Sequence, residues 1–204
     1  MDKQKLLEDV RKKMQKDTSL PLKKGATNLV FGDGNAESEI LFIGEGPGFY
    51  EDQKGIPFVG NAGAFLNQLL HLIELPREKV FITNVVHHRP PDNRDPDQSE
   101  IDAYKPYLDE IIKIINPKII VTLGRFSMAK FLPYVKITSV HGRRHVVNWR
   151  GMEIVVIPMF HPAAGLRNPD VKRQTYEDFE KLRGTLDELR KEENKVNIEQ
   201  MKLV

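Results

Sequence analysis

Four short apolar runs, at 39–43, 80–83, 118–123 and 153–157, constrain this chain more than any other feature. Each is too short for a buried helix and rich in Ile, Val, Leu or Phe, as a strand covered on both faces must be. Between them, apolar residues recur every three or four positions. The stretch 62–73 places Leu66, Leu69, Leu70 and Ile73 on one face, and 98–115 and 125–132 follow the same period. Strands alternating with helices of this length build βαβ units, and these crossovers give a parallel sheet covered on both sides.

Flanking patterns extend this α/β reading. Residues 3–16 carry Leu6, Leu7, Val10 and Met14 at helical spacing, and a charged helix is predicted over 172–193, with Tyr176, Phe179, Leu182, Leu186 and Leu189 as its core-facing stripe. The stretch 140–149 is β-rich and ends at Arg150-Gly151, which predicts a hairpin with the fourth run. A loop is expected after Phe160-His161-Pro162. No linker interrupts the 204 residues, so one domain is expected over 1–194, followed by a loosely ordered tail at 195–204.

Composition excludes several classes. With 40% hydrophobic and 29% charged residues, no apolar run approaches the ~18 residues that read as membrane-spanning. The opening residues 1–5 lead into an amphipathic pattern without a signal-peptide core, so a cytoplasmic, non-membrane protein is expected, and a monomer. The absence of cysteine excludes disulfides, cysteine nucleophiles and clusters held by thiolates of this chain. A net charge of only +2 does not establish a polyanionic partner, but Arg and Lys gather in proline-rich loops.

Polar clusters follow three of the four runs. They are Gly44-Glu45-Gly46-Pro47-Gly48, then 83–94 with Asn84, His87, His88, Arg89 and Arg94, then 159–169 with His161 and Arg167. In a parallel sheet these ends converge on one edge, so Glu45, Asn84 and His161 can share a cleft. A carboxylate, an amide and an imidazole around one aromatic ring, Phe58, suit the reading of a nucleobase. Taken singly, Phe58 reads as core, Asn84 as a turn cap and the glycine-rich turn as a generic phosphate loop. His87 and His88 invite a metal reading, but adjacent extended residues point apart and no second ligand group has a recognised spacing; no metal site is expected. Ser139-Val140-His141-Gly142 lacks the nucleophile elbow of a hydrolase triad.

The blocks GEGPGxxEDxxGxPFVGxAG, TNVVxxRPPxNRxP and HPAxxLR, together covering about residues 28–184, resemble the uracil-DNA glycosylase superfamily, most nearly its family 4. The resemblance implies a three-layer α/β/α fold with a central four-stranded parallel sheet. It implies hydrolysis of the N-glycosidic bond of a flipped-out uracil in DNA, opening base excision repair. Carried over residue by residue, it assigns Glu45 and His161 to catalysis, and Gly46, Glu51, Asp52, Phe58 and Asn84 to uracil binding, with Glu51 shaping the pocket. Arg89, Arg94, Pro162, Gly165, Leu166, Arg167 and Lys172 fall to DNA binding, with Leu166 as an apolar wedge. Arg173 joins them as a further phosphate contact.

Two departures qualify the resemblance. Gly46 leaves no carboxylate where the superfamily's best-known branch has a water-activating Asp. Family 4 also holds an iron–sulfur cluster on four cysteines, and the corresponding places here carry Asp17, Leu20, His88 and Tyr104. Loss of the cluster is expected, with Leu20, Leu22 and Tyr104 filling its volume; no cofactor is expected. Two alternatives stay open: a uracil-DNA binder or covalent product trap using His87 or His88, and a glycosylase for hypoxanthine or xanthine admitted by a pocket enlarged at Gly46.

Overall fold

A computed structural model of the protein describes the backbone of residues 2–201 and all side chains among them except those of 189, 190 and 192–201. The strands are β1 (Asp33–Gly34), β2 (Ile40–Gly44), β3 (Phe81–Asn84), β4 (Ile119–Leu123), β5 (His145–Trp149) and β6 (Met152–Met159). They form one sheet in the order β1-β3-β2-β4-β6-β5. The helices are α1 (Lys3–Lys16), α2 (Phe49–Lys54), α3 (Asn61–Leu72), α4 (Gln98–Ile115), α5 (Arg125–Ala129), α6 (Ile137–Val140), α7 (Pro162–Arg167) and α8 (Pro169–Met201).

The sheet is mixed and six-stranded, wider than the expected four strands by one at each edge. β3, β2, β4 and β6 run parallel, and β1 and β5 pair antiparallel at the two edges. β1 has only two residues, too few for any periodicity to announce it. β5 closes the expected hairpin with β6 through Arg150 (φ 53°) and Gly151 (φ 84°), a turn that needs two left-handed residues.

Alternation along each strand divides the core into two layers. Leu41 and Ile43 point into one cluster with α1 and α4, while Ile40 and Phe42 point into the other with α3 and α8. All four are buried, and burial of such side chains contributes about 1.5–3 kcal/mol each before entropy is counted. On α8, Phe179, Leu182 and Leu186 face the sheet and Tyr176 packs beside them; Leu189 lies outside the described side chains. Of the expected tail, 195–201 fall within the backbone of α8 and 202–204 lie outside the described residues.

Three local differences matter for the strand ends. The stretch after His161 is a helix rather than a loop, because Pro162 occupies its first turn and the His161 side chain caps it. The Phe49–Lys54 segment also closes into a helix, ending at Gly55 with φ 69°. Residues 137–140, including the first residue of the predicted β-rich stretch, form a helical turn, so that strand begins only at His145.

Candidate functional site

The carboxyl ends of β2, β3 and β6 open on a cleft of about 350 Å³ lined by Glu45, Gly46, Glu51, Phe58, Asn84, Asp95, His161 and Arg167, among others. A second hollow of about 420 Å³ lies among Ser38, Glu39, Lys79 and Lys118, and none of its described lining residues is aromatic or His. Convergent polar groups around an aromatic ring single out the first.

Asn84 ends β3 directly beside Gly44 at the end of β2. It is 1% exposed, and its Oδ1 has no hydrogen-bond partner among the described residues although it lines the cleft. A buried amide oxygen left so costs about 1–3 kcal/mol, a cost expected where a ligand completes the bond. A Cβ on Gly44 would stand 2.4 Å from that Oδ1 and 2.6 Å from Phe58 Cζ, so only glycine lets the two side chains meet over β2.

Phe58 is held in the left-handed region (φ 53°), a conformation unusual for an aromatic residue. Its neighbours impose it. Glu51 accepts from the N–H groups of Val59 and Gly60, each at 2.8 Å, and Arg77 donates to the carbonyls of Pro57 and Phe58. Gly63 leaves room for the Phe58 carbonyl, which would lie 2.0 Å from any Cβ there. The ring thus forms one wall, 5.7 Å from the His161 ring and inclined to it by 32°.

His161 caps α7, its Nδ1 accepting from the Ala163 N–H at 3.2 Å. Burial, reinforced by Arg167, pushes its pKa down to about 4, so the imidazole is neutral at neutral pH. With Nδ1 engaged as acceptor, Nε2 carries the proton and is the donor left to the cleft. Glu45 shows the opposite shift. Burial and the neighbouring carboxylate of Asp95, to which it is hydrogen-bonded, push it up to about 7, against the pull of Arg125 and Arg167.

Asp95 was not among the residues singled out from sequence, and it lines the cleft and pairs with Arg125. Its one signal was a carboxylate inside a proline-rich strand-end loop. Gly46 lines the cleft, but a Cβ there would meet Val86 Cγ2 at 2.7 Å, so Val86 occupies the space a side chain would need.

The remaining predicted residues divide. Asp52 is not among the cleft-lining residues; it is 2% exposed and accepts from the N–H groups of Thr27 and Asn28. Pro162 and Gly165 are buried within α7, where a Cβ on Gly165 would meet Phe65 at 2.9 Å. Arg94 lines the cleft with its guanidinium forked onto Glu100 at 2.6 and 2.8 Å. Arg89 donates to Asn93 Oδ1, Lys172 lies over the Phe65 ring, Leu166 is 46% exposed, and Arg167 is exposed while lining the cleft. Arg173 pairs with Glu177 one turn along α8.

Residues 31–183 match the profile of the Uracil DNA glycosylase superfamily. The chain belongs to the uracil-DNA glycosylase superfamily. It is 49% identical over 163 residues to the type-4 uracil-DNA glycosylase of Sulfurisphaera tokodaii, spanning 77% of this chain and 74% of that protein. Identity is 44% over 192 residues with the type-4 uracil-DNA glycosylase of Saccharolobus solfataricus (91% and 88% covered), and 42% over 183 residues with that of Thermotoga maritima (89% and 95%).

In this superfamily member the residues standing where family 4 places its cluster ligands do not fit an iron–sulfur group. Asp17 accepts from Tyr107 OH at 2.6 Å, and Leu20 is packed with Leu22 and Tyr104 in one buried cluster. His88 Nδ1 and Tyr104 OH bond to each other at 2.7 Å, and burial pushes His88 down to about 4. His87 is fully buried, its Nε2 3.2 Å from Thr83 Oγ1. Neither His lines the cleft, and among the described residues no group of three or more His, Asp or Glu side chains could hold a metal ion. No described helix is long and apolar enough to cross a membrane.

Proposed function

We propose that this protein is a uracil-DNA glycosylase in which a uracil rotated out of DNA enters the cleft and its N-glycosidic bond is hydrolysed. The observation that carries the reading is the buried Asn84 Oδ1, without a hydrogen-bond partner among the described residues, in a cleft that Phe58 and His161 also line. Uracil presents an acceptor at O4 beside a donor at N3–H, and a fixed carboxamide answers both, Nδ2 donating and Oδ1 accepting. Cytosine reverses both, with an amino donor at C4 and an acceptor at N3. Phe58 supplies the stacking face and Glu51 fixes its loop.

As the bond between N1 and C1′ breaks, its electron pair passes into the base and negative charge grows on O2. The neutral His161 donates from Nε2 to that oxygen, a contact that strengthens as charge develops. Glu45, once it has given up the proton that bonds it to Asp95, stabilises the cationic sugar and accepts a proton from the water that adds to C1′. This assigns water activation to Glu45, since Gly46 has no side chain to contribute. Arg89, Arg94, Arg167, Lys172 and Arg173 bind the phosphates of the uracil-containing strand, and Leu166 enters the gap left by the extruded base.

The hypoxanthine and xanthine alternative draws little from Gly46, whose missing side chain would point at Val86. The covalent-trap alternative draws no support from His87 or His88, which are buried and do not line the cleft. Labelled oligonucleotides carrying uracil, hypoxanthine or xanthine, single-stranded or opposite each normal base, test the reading. Alkali-sensitive cleavage at uracil with repeated turnover is expected. A denaturation-resistant adduct, or retarded but intact DNA, would overturn it.

A further inference from the structure

Phe49 and Tyr50 are large, adjacent and half in solvent, at 49% and 56% exposure. Both begin α2, between Gly48 and Glu51, which line the cleft, so they stand on its rim. Their rings are held edge to face, with centroids 5.5 Å apart and an interplanar angle of 81°. Each is buttressed. The Arg89 guanidinium lies 5.2 Å from the Phe49 centroid and is itself fixed through Nε to Asn93 Oδ1 at 2.7 Å, and Asn93 lines the cleft. Tyr50 rests on Gly60, whose position admits no side chain without crowding the ring.

Exposed aromatic pairs are costly in water unless something covers them. Arg89 lies over Phe49 and the exposed Arg167 lines the same cleft, cations that suit a strand carrying flat apolar groups, while Arg94 and Arg125 are engaged by Glu100 and Asp95. We propose that Phe49 and Tyr50 form a stacking platform for an unpaired nucleobase adjacent to the extruded uracil on the same strand. The inference rests on the uracil-excision reading and adds to it a subsite for the neighbouring nucleotide. Every base has a π-face, so the platform is indifferent to sequence, and it favours single-stranded over paired flanks because a paired neighbour keeps its own stack.

The test uses single-stranded oligonucleotides with one uracil, in which the nucleotide on its 5′ or 3′ side is replaced by an abasic spacer. Removing the stacked base on one side should raise the wild-type KM about 10-fold, the range for one base on an aromatic side chain. Phe49→Ala and Tyr50→Ala should raise KM by a similar factor on the full strand, leave kcat nearly unchanged, and add nothing on that spacer strand. Phe49→Trp should keep the wild-type KM. Equal losses on both strands, or a wild type indifferent to both spacers, would overturn the platform. So would a wild-type dimer in sedimentation that Phe49→Ala and Tyr50→Ala dissolve, since a second copy would then be the occupant. Uracil release by the wild type from spacer strands reports on the excision reading separately: absence of release from every strand defeats that reading, not the platform alone.

Discussion

The Ala163 N–H donates to Nδ1 of His161 at 3.2 Å, so a backbone group at the start of α7 decides which imidazole nitrogen carries the proton. The Nε2–H left to the cleft is then a neutral donor with a fixed direction. His161→Ala should lower kcat about 10²–10³-fold, the usual loss for one oxyanion donor, with little change in DNA affinity. Single-turnover rates beside binding isotherms separate the two, and a loss confined to affinity would move His161 out of the chemistry.

Glu45 predicts the pH dependence. Its pKa is pushed up to about 7, first by burial and then by Asp95, so the active carboxylate forms as pH rises through neutrality. kcat/KM should therefore climb through about pH 7. Asp95→Asn removes the like charge and leaves Arg125 facing Glu45, so the limb should move to lower pH; Glu45→Gln should abolish it. His161, at about 4, titrates too low to produce this limb. A pH–rate profile unmoved by Asp95→Asn would show that the two carboxyl groups do not act together.

Asn84→Asp tests the edge reading. The exchange keeps size and the Oδ1 acceptor but removes the donor meant for O4, and it places a carboxylate in a site only 1% exposed. Leaving such a group mispaired costs about 1–3 kcal/mol, or roughly 5- to 150-fold in kcat/KM on uracil. Excision at the wild-type rate would remove Asn84 from base recognition.

Period and strand length revealed the four inner strands and the helices α1, α3, α4 and α8, because each buries a regular face. β1 and α2 escaped that reading, being two and six residues long and fixed by tertiary contacts instead. Within the site, Glu45, Asn84 and His161 could be brought together in advance because strand ends in a parallel sheet share an edge. Asp52 and Asp95 could not be sorted the same way. Both are carboxylates in loops, and only the backbone path sends Asp52 to the N–H groups of Thr27 and Asn28 while Asp95 turns toward Glu45.

The His88–Tyr104 bond bears on stability and on the cluster together. Tyr104 is 0% exposed and its OH meets His88 Nδ1 at 2.7 Å, in the cluster that also contains Leu20 and Leu22. Tyr104→Phe keeps the ring but leaves the His88 nitrogen without that partner, and should cost about 1–3 kcal/mol in urea unfolding, with uracil excision unchanged at a temperature well below the transition. If the hydroxyl were instead a ligand in a metal or cluster site, the wild type would carry stoichiometric iron that Tyr104→Phe loses. Elemental analysis of both proteins should find no such iron, and finding it would replace the packing account of this region with a cofactor one.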